Sequence, residues 1–148
     1  MQYDREQTIK KVSEFFGNPL AVNKQSDFKD LMDLAQLANV DSLYHSPVIN
    51  DMPTGGNDDN RTEKSVIDLI GNQEAKRKME LIEAALQNMG DRYGRVIYLR
   101  HFLSMSITDI ADKIGYSDSN VNKLLLTAYY KFALWTEEFL KLTCSVHV

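Results

Sequence analysis

The sequence predicts an all-α protein with a C-terminal helix-turn-helix, preceded by a long helix and a small helical N-terminal part. Apolar residues recur at helical spacing through most of the 148 residues, and two short helical stretches flank a glycine between residues 106 and 132. Residues 50–60 hold almost no large apolar side chain. We therefore expect a helical region at 1–49, a flexible linker at 50–60 and a helix-turn-helix domain with long helices at 61–148.

The first helix of the helix-turn-helix is predicted between Ser106 and Gly115. Ser106 suits an N-cap, and Gly115 suits the left-handed conformation that ends many helices. The residues between them place an apolar face at helical spacing: Ile107, Ile110, Ala111 and Ile114. Ala111 is small where we expect the two helices to cross, so a larger side chain there would push them apart.

The second helix is predicted to begin after Ser117, which caps it. Val121 and either Leu124 or Leu125 return this helix to the shared core, and short polar groups remain on its first turns. Such groups can reach base edges in a major groove, and the candidates are Ser117, Asp118, Ser119, Asn120, Asn122, Lys123 and Thr127. A helical hairpin that only packs would give part of this pattern, and that alternative stays open.

A third helix is predicted upstream, over Arg92 to Leu103, with a short link at Ser104-Met105. Its helical pattern rests on Val96, Ile97, Leu99, Arg100 and Phe102. Three helices with this spacing form a complete domain.

Three stretches of this domain resemble region 4 of sigma-70-type factors. They read Val-Ile-Tyr-Leu-Arg-His-Phe-Leu at 96–103, Ser-Ile-Thr-Asp-Ile-Ala at 106–111 and Gly-Tyr-Ser-Asp-Ser-Asn-Val at 115–121, with Ala128 further on. The size of the chain, the long charged helix and the Gly-rich linker before the domain make it similar to phage late-transcription regulators of the ArpU and RinA type.

The resemblance implies a sequence-specific DNA-binding regulator in the cytoplasm of a bacterial host. It implies activation of phage or prophage late genes, those for packaging, structure and lysis, with RNA polymerase as a partner. One departure concerns the target. Sigma region 4 has basic and Gln residues near the start of its recognition helix, where this chain has Asp118, Ser119 and Asn120. The promoter element of sigma factors is therefore not the expected site.

Charge is unevenly distributed along the chain, whose net charge is −4. Residues 91–132 contain six basic and four acidic side chains, a net charge of +2. Five of the cations are candidate phosphate contacts on double-stranded DNA: Arg92, Arg95, Arg100, Lys113 and Lys131. Because one copy would neutralise few phosphates, useful affinity requires two or more copies, so the charge predicts a dimer.

A second apolar seam begins in the recognition helix and predicts that this helix extends to about Leu142. The seam steps by four and three residues through Val121, Leu125, Ala128, Phe132, Trp135, Phe139 and Leu142. Its last members are the candidate oligomerisation residues: Phe132, Trp135, Phe139 and Leu142. We expect them to pack on a second copy, with packing on the helices before the linker or on another protein as alternatives.

The rest of the chain predicts three further helices. One spans Arg5–Phe16, and a second is capped by Ser26 and fades toward Pro47. A long helix runs from Asn60 or Thr62 toward Met89, with a kink or a break at Gly71-Asn72. Its apolar stripe fits either a coiled coil or the core of its own domain: Ala75, Met79, Ile82, Leu86 and Met89.

The sequence gives little support for catalysis, cofactors or metal. His45, His101 and His147 have no paired acid or nucleophile at a recognisable spacing, no Gly-rich phosphate loop is present, and Cys144 is the single cysteine. No apolar run is long enough to span a membrane, so no membrane partner is expected.

Two rival functions remain at this point. One is a small terminase subunit, which would form a ring and bind packaging-site DNA. The other is a polymerase-binding adaptor that does not read DNA and would tolerate Lys123→Ala.

Overall fold

Six α-helices make up the described part of the chain, which is residues 3–21, 23–44 and 59–145 of a computed structural model. The predicted all-α fold class is confirmed. Most of the predicted linker at 50–60 lies outside the described residues. Within the described part, no helix is both long and apolar enough to cross a membrane. The helices are α1 (Arg5–Phe16), α2 (Asp27–Tyr44), α3 (Asp59–Asn88), α4 (Tyr93–Ile97), α5 (Ile107–Ile114) and α6 (Asp118–Trp135), and a π-helical turn (Tyr98–Phe102) continues α4.

The chain divides into two units. One consists of residues 1–29 and 80–148, and the other of residues 30–79. The second unit holds most of α2 and the larger part of α3, and its buried side chains include Ala35, Asn72, Ala75 and Met79. The first unit holds α1 together with the helix-turn-helix.

The long helix α3 runs without a break through Gly71. The break that the sequence offered as one alternative at Gly71-Asn72 is therefore wrong. A glycine in a helix interior costs about 1 kcal/mol relative to alanine, which the neighbouring helical residues can offset. Near the C-terminal end of α3, Ile82, Leu86 and Met89 are buried within the single chain, as expected for a stripe that covers its own core.

The capping residues set the starts of the first two helices. The Asp4 carboxylate accepts a hydrogen bond from the Gln7 N–H at 3.1 Å. The Ser26 hydroxyl accepts from the Lys29 N–H at 3.2 Å and donates to the Phe16 carbonyl at 2.8 Å. Ser26 thus caps α2, as predicted, and also ties its start to the end of α1.

An aromatic cluster joins α1 to α6. Phe16 is at its centre, stacked on His101 with ring centroids 4.2 Å apart and planes inclined by 12°. The Phe16 ring also lies 4.9 Å from the rings of Phe28 and Phe132. Phe132, predicted to contact a second copy, is 0% exposed and is packed by α1 of its own chain.

The recognition helix α6 ends at Trp135, so its predicted end at about Leu142 is wrong. The Thr136 hydroxyl donates to the Phe132 carbonyl at 2.7 Å, and residues 136–140 form turns. The chain then returns to α1. The apolar residues after Trp135 keep the four-three spacing in the sequence, but they do not lie on a helix. Leu142 is buried and Phe139 half-buried, whereas Trp135 is 53% exposed.

His101 is held neutral inside this cluster. Its Nε2 is 2.6 Å from the Tyr129 hydroxyl, and its buried Nδ1 has no hydrogen-bond partner among the described residues. Burial, together with the positive charges of Arg100 and Lys29, lowers the pKa of His101 to about 3. His101 is therefore a packing residue, and its protonation in the folded state is unfavourable at neutral pH.

The free energy of unfolding should fall on acidification below about pH 6.5. The unfolded chain binds a proton on His101 near that pH and the folded chain does so only near pH 3, so the neutral-pH stability is progressively lost between these values. The loss is at most about 1.4 kcal/mol per pH unit. Urea unfolding of the wild type and of His101→Gln at pH 7, 6 and 5 checks this. The variant should have a smaller slope with pH, and equal slopes would contradict the assignment.

Candidate nucleic-acid interface

Both helices of the helix-turn-helix begin at their predicted caps, and α5 also ends at its predicted glycine. The Ser106 hydroxyl accepts from the Asp109 N–H, and the Ser117 hydroxyl accepts from the Asn120 N–H, both at 3.1 Å. Gly115 ends α5 with a φ of 76°, in the left-handed region that favours glycine. These caps confirm the predicted bounds of α5 and the predicted start of α6.

A small apolar core orients the recognition helix. Ile110 and Ala111 of α5 are buried, as are Val121, Leu124 and Leu125 of α6. Both leucines that the sequence left as alternatives therefore face inward. Helix α4 supplies Val96 and Ile97 to the buried residues of the same unit and packs against α6. The predicted three-helix domain is confirmed.

The first turns of α6 present their polar side chains to solvent. The predicted base-reading residues from Ser117 to Asn120, with Asn122 and Lys123, are exposed, and Thr127 is half-buried. Asn120, Lys123 and Thr127 line a groove that Arg92 and Tyr93 close on the α4 side. Asn122 lies on the other side of α6, in a hollow shared with Leu126 and Tyr129. The predicted readers thus lie on two faces of α6, one at the groove and one at the hollow.

Asp118 has a structural role that explains an acidic residue at this position. Its Oδ2 accepts a hydrogen bond from the Thr108 hydroxyl at 3.0 Å, which links α5 to the start of α6. As the first residue of α6, its carboxylate also lies at the positive end of the helix dipole. An acidic side chain here therefore stabilises the helix-turn-helix itself.

Tyrosine rings lie beside two of the predicted phosphate contacts. The Arg92 guanidinium is 6.0 Å from the centre of the Tyr116 ring, and the Lys131 ammonium is 4.9 Å from that of Tyr93. Such cation–π contacts stabilise a cation without neutralising its charge. Both pairs lie beside the groove, since Arg92, Tyr93 and Tyr116 line it.

The other three predicted phosphate contacts differ in their surroundings. Arg95 and Lys113 are exposed. Arg100 is half-buried and donates to the Met105 carbonyl at 2.9 Å, so it holds the link before α5 in place. This hydrogen bond gives Arg100 a structural role that the sequence pattern did not indicate.

One cation beside the recognition helix was missed by the sequence analysis. The guanidinium of Arg5, at the start of α1, donates to the Thr127 hydroxyl at 3.2 Å and lies 6.0 Å from the centre of the Tyr130 ring. Arg5 and Thr127 are 122 positions apart. No local sequence pattern predicts that contact, because it depends on how α1 packs against α6.

Comparison with known proteins gives one family match. Residues 79–131 match the family described as Sigma-70, region 4, which covers the end of α3 through most of α6. No curated protein and no solved structure matches the chain. Domains of this family bind DNA, interact with RNA polymerase and are not enzymes. The resemblance of this segment to sigma region 4 is thereby confirmed, and it indicates a DNA-binding regulator of the helix-turn-helix type.

Proposed function

We propose that the protein is a sequence-specific transcription regulator that activates phage or prophage late genes. The observation that carries the proposal is the exposed polar start of α6, held beside a groove with cations next to it. Recognition helices of this motif present their N-terminal residues to base edges in the major groove. The match of residues 79–131 to sigma region 4 supports the same use of this surface.

Asn120 and Lys123 are the proposed base contacts with most discriminating power. An Asn amide can form two hydrogen bonds with the N6 and N7 of adenine, and a Lys can donate to guanine O6 or N7. Both side chains are exposed and line the same groove. The remaining proposed readers carry hydroxyl, amide or carboxylate groups and would contact base pairs on either side of those read by Asn120 and Lys123.

A homodimer would supply the affinity that one weakly positive domain lacks. Of the four predicted oligomerisation residues, Trp135 is the one that is largely exposed, and Leu134 beside it is 42% exposed. Large apolar side chains grouped on a surface are typical of interaction sites. We propose that Trp135 and Leu134 contact a second copy, and that the dimer reads two half-sites about 10 or 20 base pairs apart.

The proposed mechanism is tethering of RNA polymerase at a late promoter. α6 would hold the protein at a promoter-proximal site. The acidic residues before the linker, or the outer face of the helix-turn-helix, would contact polymerase. Residues 1–49 contain seven acidic and five basic side chains, and the linker adds three more acidic ones, which suits contact with a basic protein surface.

Genome-wide DNA pull-down with footprinting of the enriched sites tests the DNA-reading part. We expect a discrete two-fold site upstream of a large operon, lost in an Asn120→Ala/Lys123→Ala variant. Each lost base contact should cost about 1–3 kcal/mol, so affinity should fall at least tenfold. Lys11→Ala/Asn88→Ala is the matched control, because it removes the same residue types from exposed positions on α1 and α3.

Each outcome discriminates between functions. No enrichment at physiological salt, or enrichment that the double variant leaves unchanged, would overturn DNA reading in favour of a polymerase-binding adaptor. A ring-shaped oligomer on packaging-site DNA would indicate a small terminase subunit instead. In transcription from the enriched promoter with host polymerase, added protein should raise the transcript yield, and a decrease would overturn activation.

A further inference from the structure

Helix α1 is attached to the recognition helix by a buried apolar face. Val12, Phe15 and Phe16 are buried, and the rings of Phe15 and Phe16 pack against Phe132 of α6. Burial of one such side chain is worth about 1.5–3 kcal/mol. α1 is therefore held firmly along the C-terminal half of α6, beyond the turns proposed to read bases.

The C-terminal tail holds the start of α1 in place. The Asp4 N–H donates to the Cys144 carbonyl at 2.7 Å, and the Cys144 N–H donates to the hydroxyl of Thr8 at 3.0 Å. Thr8 is fully buried, and this second hydrogen bond is partly buried. The backbone on either side of Arg5 is consequently fixed, and its side chain leaves α1 from a defined position.

The guanidinium of Arg5 reaches the recognition helix and stays exposed. It is held by the Thr127 hydroxyl at 3.2 Å and by the Tyr130 ring at 6.0 Å. Among the described residues, Thr127 takes one of the five guanidinium N–H groups, so others are available to phosphate oxygens. Thr127 also lines the groove that contains Asn120 and Lys123, which places Arg5 at an end of the proposed reading surface.

Arg5 repeats the arrangement of two cations already proposed to contact phosphates. Arg92 lies beside Tyr116, Lys131 lies beside Tyr93, and Arg5 lies beside Tyr130. Each ring orients its cation while the charge is retained, which is suited to a contact with a phosphodiester. The three pairs all adjoin α6.

We propose that Arg5 contacts a DNA phosphate, so that α1 forms part of the DNA-binding surface. Thr127 is then a positioning residue for Arg5 and not a reader of bases. The proposal rests on the proposed DNA-binding function, and it adds to the sigma region 4-like domain a cation supplied from outside residues 79–131. The segment before the linker would thus contribute to affinity for DNA.

The test is the salt dependence of DNA affinity for Arg5→Ala, measured on a random-sequence duplex and on the footprinted site. The logarithm of the association constant falls linearly with the logarithm of the salt concentration. Loss of one phosphate contact should make this slope shallower by about 0.9 per bound copy. At about 0.1 M salt, this corresponds to roughly eightfold weaker binding per copy. Lys10→Ala is the matched control, because it removes one exposed positive charge from the same helix and should leave the slope unchanged.

Two further variants separate a phosphate contact from a structural role. Arg5→Lys keeps the charge and should retain most of the slope, whereas a guanidinium needed only for packing would not be replaced by Lys. Thr127→Val removes the hydroxyl at similar volume, so its effect should be non-additive with that of Arg5→Ala. Thermal unfolding of each variant verifies that α1 remains folded.

The outcomes distinguish this proposal from the function it rests on. If the wild type binds neither duplex, DNA binding itself fails. If the wild type binds and Arg5→Ala behaves like Lys10→Ala, or Arg5→Lys loses as much as Arg5→Ala, the role of Arg5 is overturned while DNA reading stands. Additive effects of Thr127→Val and Arg5→Ala would remove Thr127 from the proposal.

Discussion

Gly94→Ala should lower the free energy of unfolding by about 3 kcal/mol or more. A Cβ on Gly94 would overlap the Leu86 carbonyl oxygen and lie 2.8 Å from its carbonyl carbon. These are backbone atoms near the end of α3, so no side-chain rotation can relieve the clash. Either α4 or the end of α3 must move, and α4 is the helix that packs against α6.

Urea unfolding checks this prediction, with Gly71→Ala as the matched control. A Cβ on Gly71 meets no atom within 4 Å, and Gly71 lies inside α3. The control should therefore be neutral or stabilising by up to about 1 kcal/mol, the difference in helix propensity between Gly and Ala. Equal unfolding midpoints for Gly94→Ala and the wild type would contradict the close approach of α4 to Leu86.

Phe16→Ala should lower the free energy of unfolding by about 3–5 kcal/mol, the usual cost of truncating a buried aromatic residue. Phe16 is 1% exposed and contacts rings from three other segments of the same unit: Phe28 of α2, His101 of the π-helical turn and Phe132 of α6. Its removal leaves a cavity between α1 and α6 and exposes the ring of His101. The hydrogen bond between His101 and Tyr129 should loosen as a result.

The measurement is chemical unfolding together with amide hydrogen exchange on α1. Leu103→Ala is the control, since Leu103 is 50% exposed and its truncation should change stability by about 0.5 kcal/mol or less. Exchange protection on α1 should fall in Phe16→Ala to a greater extent than on α5. If α1 kept its full protection, the aromatic cluster would not be what attaches it.

Local signals in the sequence were sufficient for the helix-turn-helix. Ser106, Gly115 and Ser117 set its boundaries through hydrogen bonds and backbone conformations that involve residues at most four positions away. The recurrence of apolar residues at helical spacing then predicted that Ala111 and Val121 lie in the core, where both are buried. Because both kinds of signal are short in range, the sequence predicted this domain and the exposed positions of most proposed readers.

Longer-range packing explains where the sequence analysis was wrong. The four-three spacing past Trp135 resembles a continuing helix, but spacing does not record where the backbone turns. Thr136 ends α6, and the tail then forms hydrogen bonds with α1. The seam is covered in part by α1, which packs on Phe132, and not by a continuing helix.

The sequence by itself determined the helical class, the caps and the polar start of the recognition helix, since these depend on neighbours within one or two turns. The tertiary structure decided what lies beside that helix. It placed α1 against α6, buried His101 beside Phe16, and put Arg5 within hydrogen-bonding distance of Thr127. Those contacts join residues far apart in the chain. They follow from the burial of apolar surface, which is non-directional and leaves no local pattern in the sequence.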